Sequence, residues 1–248
     1  MKTVGVLGGM GPEATAYFFT LLIKNTRASR DAEHVPVIIC SLPGIPDRTR
    51  AILQGGRSPL PFLVRGVRAL ARAGADFAVM PCVSAHFFYP GLAARSPIPV
   101  IHLLGETAAD VGKRFPGIKK IGILATTGTA RSGIFAEAFR AAGIEVLVPD
   151  ARAQRRVMNA IYGKRGIKAG VSAGAPREAL LGVAADLVRR GARAIVAGCT
   201  EVPIAIGAGD LSVPLIDPML IVARACIRKA GGRLRRAARP ENPSAEGG

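Results

Sequence analysis

The chain has 248 residues, 49% of them hydrophobic, which is enough apolar surface for one large domain or two of ordinary size. No run approaches the roughly 18 apolar residues of a membrane span, and the opening Val4-Gly5-Val6-Leu7-Gly8-Gly9 is too short and glycine-broken for a signal peptide, so a cytoplasmic protein with no membrane partner is expected. The net charge of +17 raises nucleic acid as a partner, but Arg228, Lys229, Arg233, Arg235, Arg236 and Arg239 crowd the C-terminus, the other cations are scattered, and three Tyr with no Trp leave few stacking platforms, so nucleic-acid binding is disfavoured.

Strand-like and helix-like runs alternate almost throughout. Strands are expected at 3–8, 35–41, 76–80, 98–102, 120–125, 144–148, 193–197 and 213–216, and helices near 13–28, 59–73, 132–142, 176–190 and 219–231. Leu180, Leu181, Ala184, Leu187 and Val188 show the three-to-four spacing that makes one helix face apolar. The alternation predicts an α/β fold with mainly parallel sheets covered by helices.

The chain also repeats itself. Lys2-Thr3-Val4-Gly5-Val6-Leu7 recurs as Lys119-Lys120-Ile121-Gly122-Ile123-Leu124, and Arg72-Ala73-Gly74-Ala75 leading to Cys82 recurs as Arg189-Arg190-Gly191-Ala192 leading to Cys199. Gly5 and Gly122, Gly74 and Gly191, and Cys82 and Cys199 are all the same interval apart, which a chance likeness of two β-α units does not explain. Two pseudosymmetric, doubly wound domains follow, with the site in the cleft between them: 1–110 plus 211–232 carrying Cys82, 111–210 carrying Cys199, and 233–248 as a basic disordered tail. A boundary is expected between Gly105 and Gly117.

The four cysteines, Cys40, Cys82, Cys199 and Cys226, show no C-x-x-C spacing, so neither a disulfide framework nor a zinc site is indicated, and no His, Cys, Asp and Glu cluster has metal-ligand spacing. Cys40 and Cys226 read as small buried hydrophobes. Cys82 and Cys199 each follow a strand and precede a helical run, where a helix N-terminus would lower the thiol pKa. Two like acid/base groups on opposing domains suit inversion of a stereocentre, because one must take the α-proton from one face while the other delivers a proton to the opposite face. Hydroxyls at Ser84, Thr200 and in Ala125-Thr126-Thr127-Gly128-Thr129 could stabilise charge developing beside the carboxylate. Gly9-Met10-Gly11-Pro12-Glu13-Ala14 fits a dinucleotide fingerprint, but the second strand ends at Cys40-Ser41-Leu42 without the acid that would hold a ribose.

Taken together, Gly8-Gly9-Met10-Gly11-Pro12, Ile45-Pro46-Asp47-Arg48-Thr49, Met80-Pro81-Cys82 with Ala85-His86, Ala125-Thr126-Thr127-Gly128-Thr129, Ile167-Lys168-Ala169-Gly170, Gly198-Cys199-Thr200-Glu201 and Pro214-Leu215-Ile216-Asp217-Pro218 resemble the aspartate racemases of the aspartate/glutamate racemase superfamily. The resemblance implies a homodimeric enzyme that racemises an acidic amino acid, aspartate before glutamate, without pyridoxal phosphate, other cofactor or metal. It makes Cys82 and Cys199 the catalytic pair, and places Arg48 and Lys168 at substrate carboxylate with Met10, Val83, Ser84, Thr127 and Thr200 around it. His86 and Glu201 are expected behind them, His86 either activating the thiol or capping and packing. The family commonly has Asn-Thr where this chain has Val83-Ser84, so Val83 offers no amide and the substrate could be another amino acid. Other two-cysteine isomerases, acting on maleate or hydantoins, are the alternative; decarboxylases of the superfamily keep only the second cysteine.

Overall fold

The computed structural model describes residues 1–235. Its two four-stranded sheets are parallel and have the same order. In the first, β1 (Val4–Gly8) lies between β2 (Val37–Ser41) and β3 (Phe77–Val79), with β4 (Val100–Ile101) outside β3. In the second, β5 (Lys120–Leu124) lies between β6 (Glu145–Leu147) and β7 (Ile195–Ala197), with β8 (Leu215–Ile216) outside β7. All eight expected strands are present, each slightly shorter than its apolar run.

Between and beyond them lie α1 (Pro12–Asn25), α2 (Arg48–Gln54), α3 (Leu60–Arg72), α4 (Tyr89–Ala93), α5 (Leu103–Arg114), α6 (Thr127–Ser132), α7 (Ile134–Arg140), α8 (Ala151–Tyr162), α9 (Ala175–Arg189), α10 (Val202–Ala205) and α11 (Pro218–Ala230). The outer helices bury the stripe their spacing dictates. In α3 it is Leu63, Val67 and Leu70 against β1, and in α9 it is Leu180, Val183, Ala184 and Leu187. Each fully buried Leu or Val contributes on the order of 1.5–3 kcal/mol relative to exposure. Among the described residues no helix is long and apolar enough to cross a membrane.

The two halves are not separate bodies. One apolar cluster runs from Val4, Val6 and Phe18 through Leu104 and Val222 to Ile121, Phe135, Phe139 and Val196, so the core crosses both sheets. α5 contributes to it through Leu103, Leu104, Ala108 and Val111 and packs on α7 and α11. The stretch expected as a boundary at Gly105 to Gly117 is therefore mostly a core-forming helix. β8 belongs to the second sheet, so the chain crosses back to the first half only at Asp217, not at 211. There Asp217 caps α11 by accepting from Met219 N–H and also accepts the Tyr17 hydroxyl of α1 at 2.9 Å.

Residues 233–235, expected as the start of a disordered tail, run along the end of α1. Leu234 bridges Thr26, Arg27 N–H donates to the Arg233 carbonyl and Arg235 N–H to that of Asn25. The rest of that expected tail, from 236, lies outside the described residues.

Candidate active site

Both cysteines emerge at the carboxyl ends of equivalent central strands, where an open α/β sheet presents its ligands. After β3 the chain runs Met80-Pro81-Cys82 into a 3-10 turn at Ser84–Phe88, and after β7 it runs Gly198-Cys199 into α10. The halves meet so that these ends face one narrow cavity, lined by Met10, Arg48, Cys82, Val83, Ser84, Thr126, Thr129, Tyr162, Lys168, Gly198, Cys199, Thr200 and Glu201. Both cysteines are free thiols and almost wholly buried.

The closeness of the halves rests on a glycine. A Cβ on Gly128 would stand 2.8 Å from the Thr49 Cα, and Thr49 Oγ1 donates to Thr126 Oγ1 at 3.4 Å, so α2 and α6 touch beside the cavity. At Gly11, the repeat counterpart of Gly128, a Cβ would meet Lys168 Nζ and Glu201 Oε1 only at ordinary contact distances of 3.6 and 3.8 Å.

Around Cys199 the polar contacts form a chain. Its thiol donates to Glu201 Oε2 at 2.8 Å, the Thr200 hydroxyl donates to the same oxygen at 3.1 Å, and Lys168 pairs with Oε1. Burial, and then the Glu201 carboxylate, push the Cys199 thiol well above its usual range. This reverses the expected lowering: α10 has only four residues, and its dipole is outweighed by desolvation and an adjacent anion. Burial pushes Lys168 down, but the charge and hydrogen bond of Glu201 outweigh it and the ammonium pKa is raised.

Cys82 has a lighter setting. Its Sγ lies 3.6 Å from Ser84 Oγ, and Val83 packs beside it. His86 does not reach the sulfur. Leu103 N–H donates to its Nε2 at 3.2 Å, which leaves the proton on Nδ1 to donate to the Cys82 carbonyl at 2.9 Å. Burial, the largest influence, holds its pKa down to about 4, so it is a neutral strut for the Cys82 main chain.

Arg48 begins α2 just after Asp47, whose carboxylate caps the helix by accepting from Arg50 N–H. Its Nη1 donates to the carbonyls of Ile45 and Pro46, and its Nη2 to that of Met10 at 3.3 Å. These contacts fix the guanidinium without neutralising it. Lys168, expected at a substrate carboxylate, also lines the cavity but is held by Glu201.

Thr127, expected around the substrate, does not line the cavity. Its N–H meets Met158 Sδ and its hydroxyl accepts from Gln154 Nε2. Thr126 and Thr129 stand there instead, joined through their hydroxyls at 3.2 Å. A threonine directly before a helical run is an N-cap signal, and Thr126 does accept from Thr129 N–H, so this pair was within reach of the sequence. Tyr162 was not: it closes α8, with Lys168 Nζ 5.4 Å from its ring centroid, and nothing local in the sequence marks it.

Two α/β halves of the same strand order thus each place a thiol at one shared cavity. The chain belongs to the Asp/Glu/Hydantoin racemase family, whose model matches residues 7–226, and is an amino-acid racemase. The aspartate racemase of Picrophilus torridus is 31% identical, with a TM-score of 0.85 covering 95% of this chain and 96% of that one. The broad specificity amino-acid racemase RacX of Bacillus subtilis is 24% identical over 232 residues, 90% of this chain and 96% of its own length. The glutamate racemase of Francisella tularensis, solved with D-glutamate, shares the fold at 17% identity and TM-score 0.66, over 92% of this chain and 80% of that one.

Proposed function

We propose that the protein racemises a free α-amino acid by direct proton transfer through Cys82 and Cys199, without a cofactor. The observation that carries this reading is that thiols from equivalent positions of the two halves line one cavity. In one direction the Cys82 thiolate takes the α-proton, the electron pair passes to the carboxylate-stabilised carbanion, and Cys199 gives its proton to the opposite face. Cys82 then carries a proton and Cys199 is the thiolate, which is the starting state for the reverse reaction. A Cys199 thiolate beside Glu201 would be costly alone, and the Lys168 ammonium offsets it.

Arg48 is positioned to hold the α-carboxylate with a fixed, always charged fork. The Ser84 hydroxyl and the Thr126–Thr129 pair can donate as negative charge grows on that carboxylate. The likeness to the aspartate racemase argues for aspartate among the substrates, and that to RacX for others beside it. The division into 1–110 with the C-terminal helix and 111–216, and a homodimer, belong to the same proposal. Phe19 and Ile23 on α1 and Ile39 on the edge strand β2 are exposed apolar residues that a second copy could cover.

The test is incubation of the protein with single enantiomers in deuterated buffer, without added cofactor. Exchange of the α-hydrogen with inversion is expected for at least one amino acid. Absence of both across the proteinogenic set would overturn the reading.

A further inference from the structure

We propose that the site prefers an amino acid with one carboxylate and an uncharged side chain over aspartate or glutamate, and that Val83 sets this preference. The inference rests on the racemase reading above and adds its substrate class.

Charge bookkeeping at the cavity comes first. The lining residues include two cations, Arg48 and Lys168, and one carboxylate, Glu201. Glu201 is only 4% exposed and is fully engaged: Oε1 takes Lys168, and Oε2 takes the Cys199 thiol and the Thr200 hydroxyl. A second substrate carboxylate at Lys168 would have to share an ammonium whose charge Glu201 already balances. The cation that remains unbalanced is Arg48, whose contacts are all neutral carbonyls and whose buried Nε has no partner among the described residues. One unbalanced cation fits one carboxylate, that of the α-carbon.

The cavity wall points the same way. Val83 and Met10 line it, at 2% and 4% exposure, and neither offers a hydrogen-bond donor from its side chain. In the repeat, Val83 occupies the position of Thr200, which lines the same cavity and whose hydroxyl donates to Glu201. The wall beside Cys82 is thus the apolar member of a matched pair. A charged side chain there loses water and gains no donor, whereas an alkyl or thioether side chain gains apolar contact.

The experiment compares kcat/KM for α-deuterium exchange of alanine, valine, methionine and serine with that of aspartate and glutamate. The best uncharged substrate should exceed both acids at least tenfold. Val83→Thr, which exchanges a methyl for a hydroxyl at nearly constant volume and copies Thr200, should shrink that ratio at least tenfold. Val83→Ala keeps the wall apolar and should preserve the preference while improving the bulkier side chains. A wild-type preference for aspartate or glutamate, or a ratio unmoved in a folded Val83→Thr protein, overturns the proposal while leaving the racemase intact. Exchange of no amino acid, or exchange with inversion surviving in both Cys82→Ser and Cys199→Ser, overturns the racemase reading itself.

Discussion

The surroundings of Cys82 and Cys199 compare a backbone that duplication has preserved with side chains that have diverged. Both sulfurs stand after the inner strand of a sheet of identical order. Two residues on, Ser84 and Glu201 are repeat counterparts, and each places a side-chain oxygen beside its own sulfur, at 3.6 and 2.8 Å. One oxygen belongs to a neutral hydroxyl and the other to a carboxylate tied to Lys168. Strand and turn geometry thus fix where the two thiols stand, and the residue two positions later gives each sulfur a different polar partner. In the proposed mechanism the two mirror-image substrates would meet faces that are alike in position and unlike in electrostatics.

Removing either thiol breaks the comparison most severely. Cys82→Ser and Cys199→Ser should each lower racemisation by about 10²- to 10⁴-fold, the usual worth of a general acid or base. Each should retain exchange without inversion from the face its remaining thiol serves. Enantiomer-resolved chromatography with mass detection of deuterium separates the two outcomes.

Next come the paired glycines. Gly128→Ala would set a Cβ 2.8 Å from the Thr49 main chain, whereas Gly11→Ala meets Lys168 Nζ at an ordinary 3.6 Å. Spreading the halves by even about 1 Å can cost about 10²-fold in rate. Gly128→Ala should therefore lose much more kcat than Gly11→Ala, with both melting cooperatively by calorimetry.

Glu201→Gln sharpens the electrostatic contrast. Without the anion the Cys199 thiol should ionise at lower pH, read as an earlier midpoint of Cys199 alkylation followed by peptide mass spectrometry. Each unit of that shift corresponds to about 1.4 kcal/mol. Ser84→Ala should leave the Cys199 midpoint where it is.

The smallest effect concerns stability. His86 stands where the repeat places Pro203, so the second half has no titratable counterpart to it. Its pKa, lowered from 6.5 to about 4, means that below pH 6.5 the unfolded chain binds a proton the folded chain refuses. Stability is full above pH 6.5 and falls as pH drops toward 4, by roughly 3 kcal/mol in all. Urea unfolding at pH 7.5, 5.5 and 4.5 should show this slope, and His86→Gln should flatten it.

The sequence read well where local pattern decides structure, and less well where it does not. The long helices α1, α3, α9 and α11 were legible from their apolar spacing, but α5 and α8 were not. Gly105 and Gly112 make α5 look like a boundary, although Leu104, Ala108 and Val111 still share a buried face. In α8, three arginines disguise the stripe of Ala153, Val157, Ala160 and Ile161. Arg48, Cys82, Ser84 and Thr200 line the cavity, and Thr126 and Thr129 line it where Thr127 does not.

By itself the sequence determined the order of elements and the equivalence of Cys82 and Cys199, because hydrophobic periodicity and a constant repeat interval are properties of neighbouring residues. Only the tertiary structure decided that Lys168 pairs with Glu201, that His86 braces a carbonyl instead of a sulfur, and that Tyr162 enters the site. Those outcomes depend on which side chains of distant segments come within hydrogen-bonding reach once water is excluded, and no local pattern encodes that.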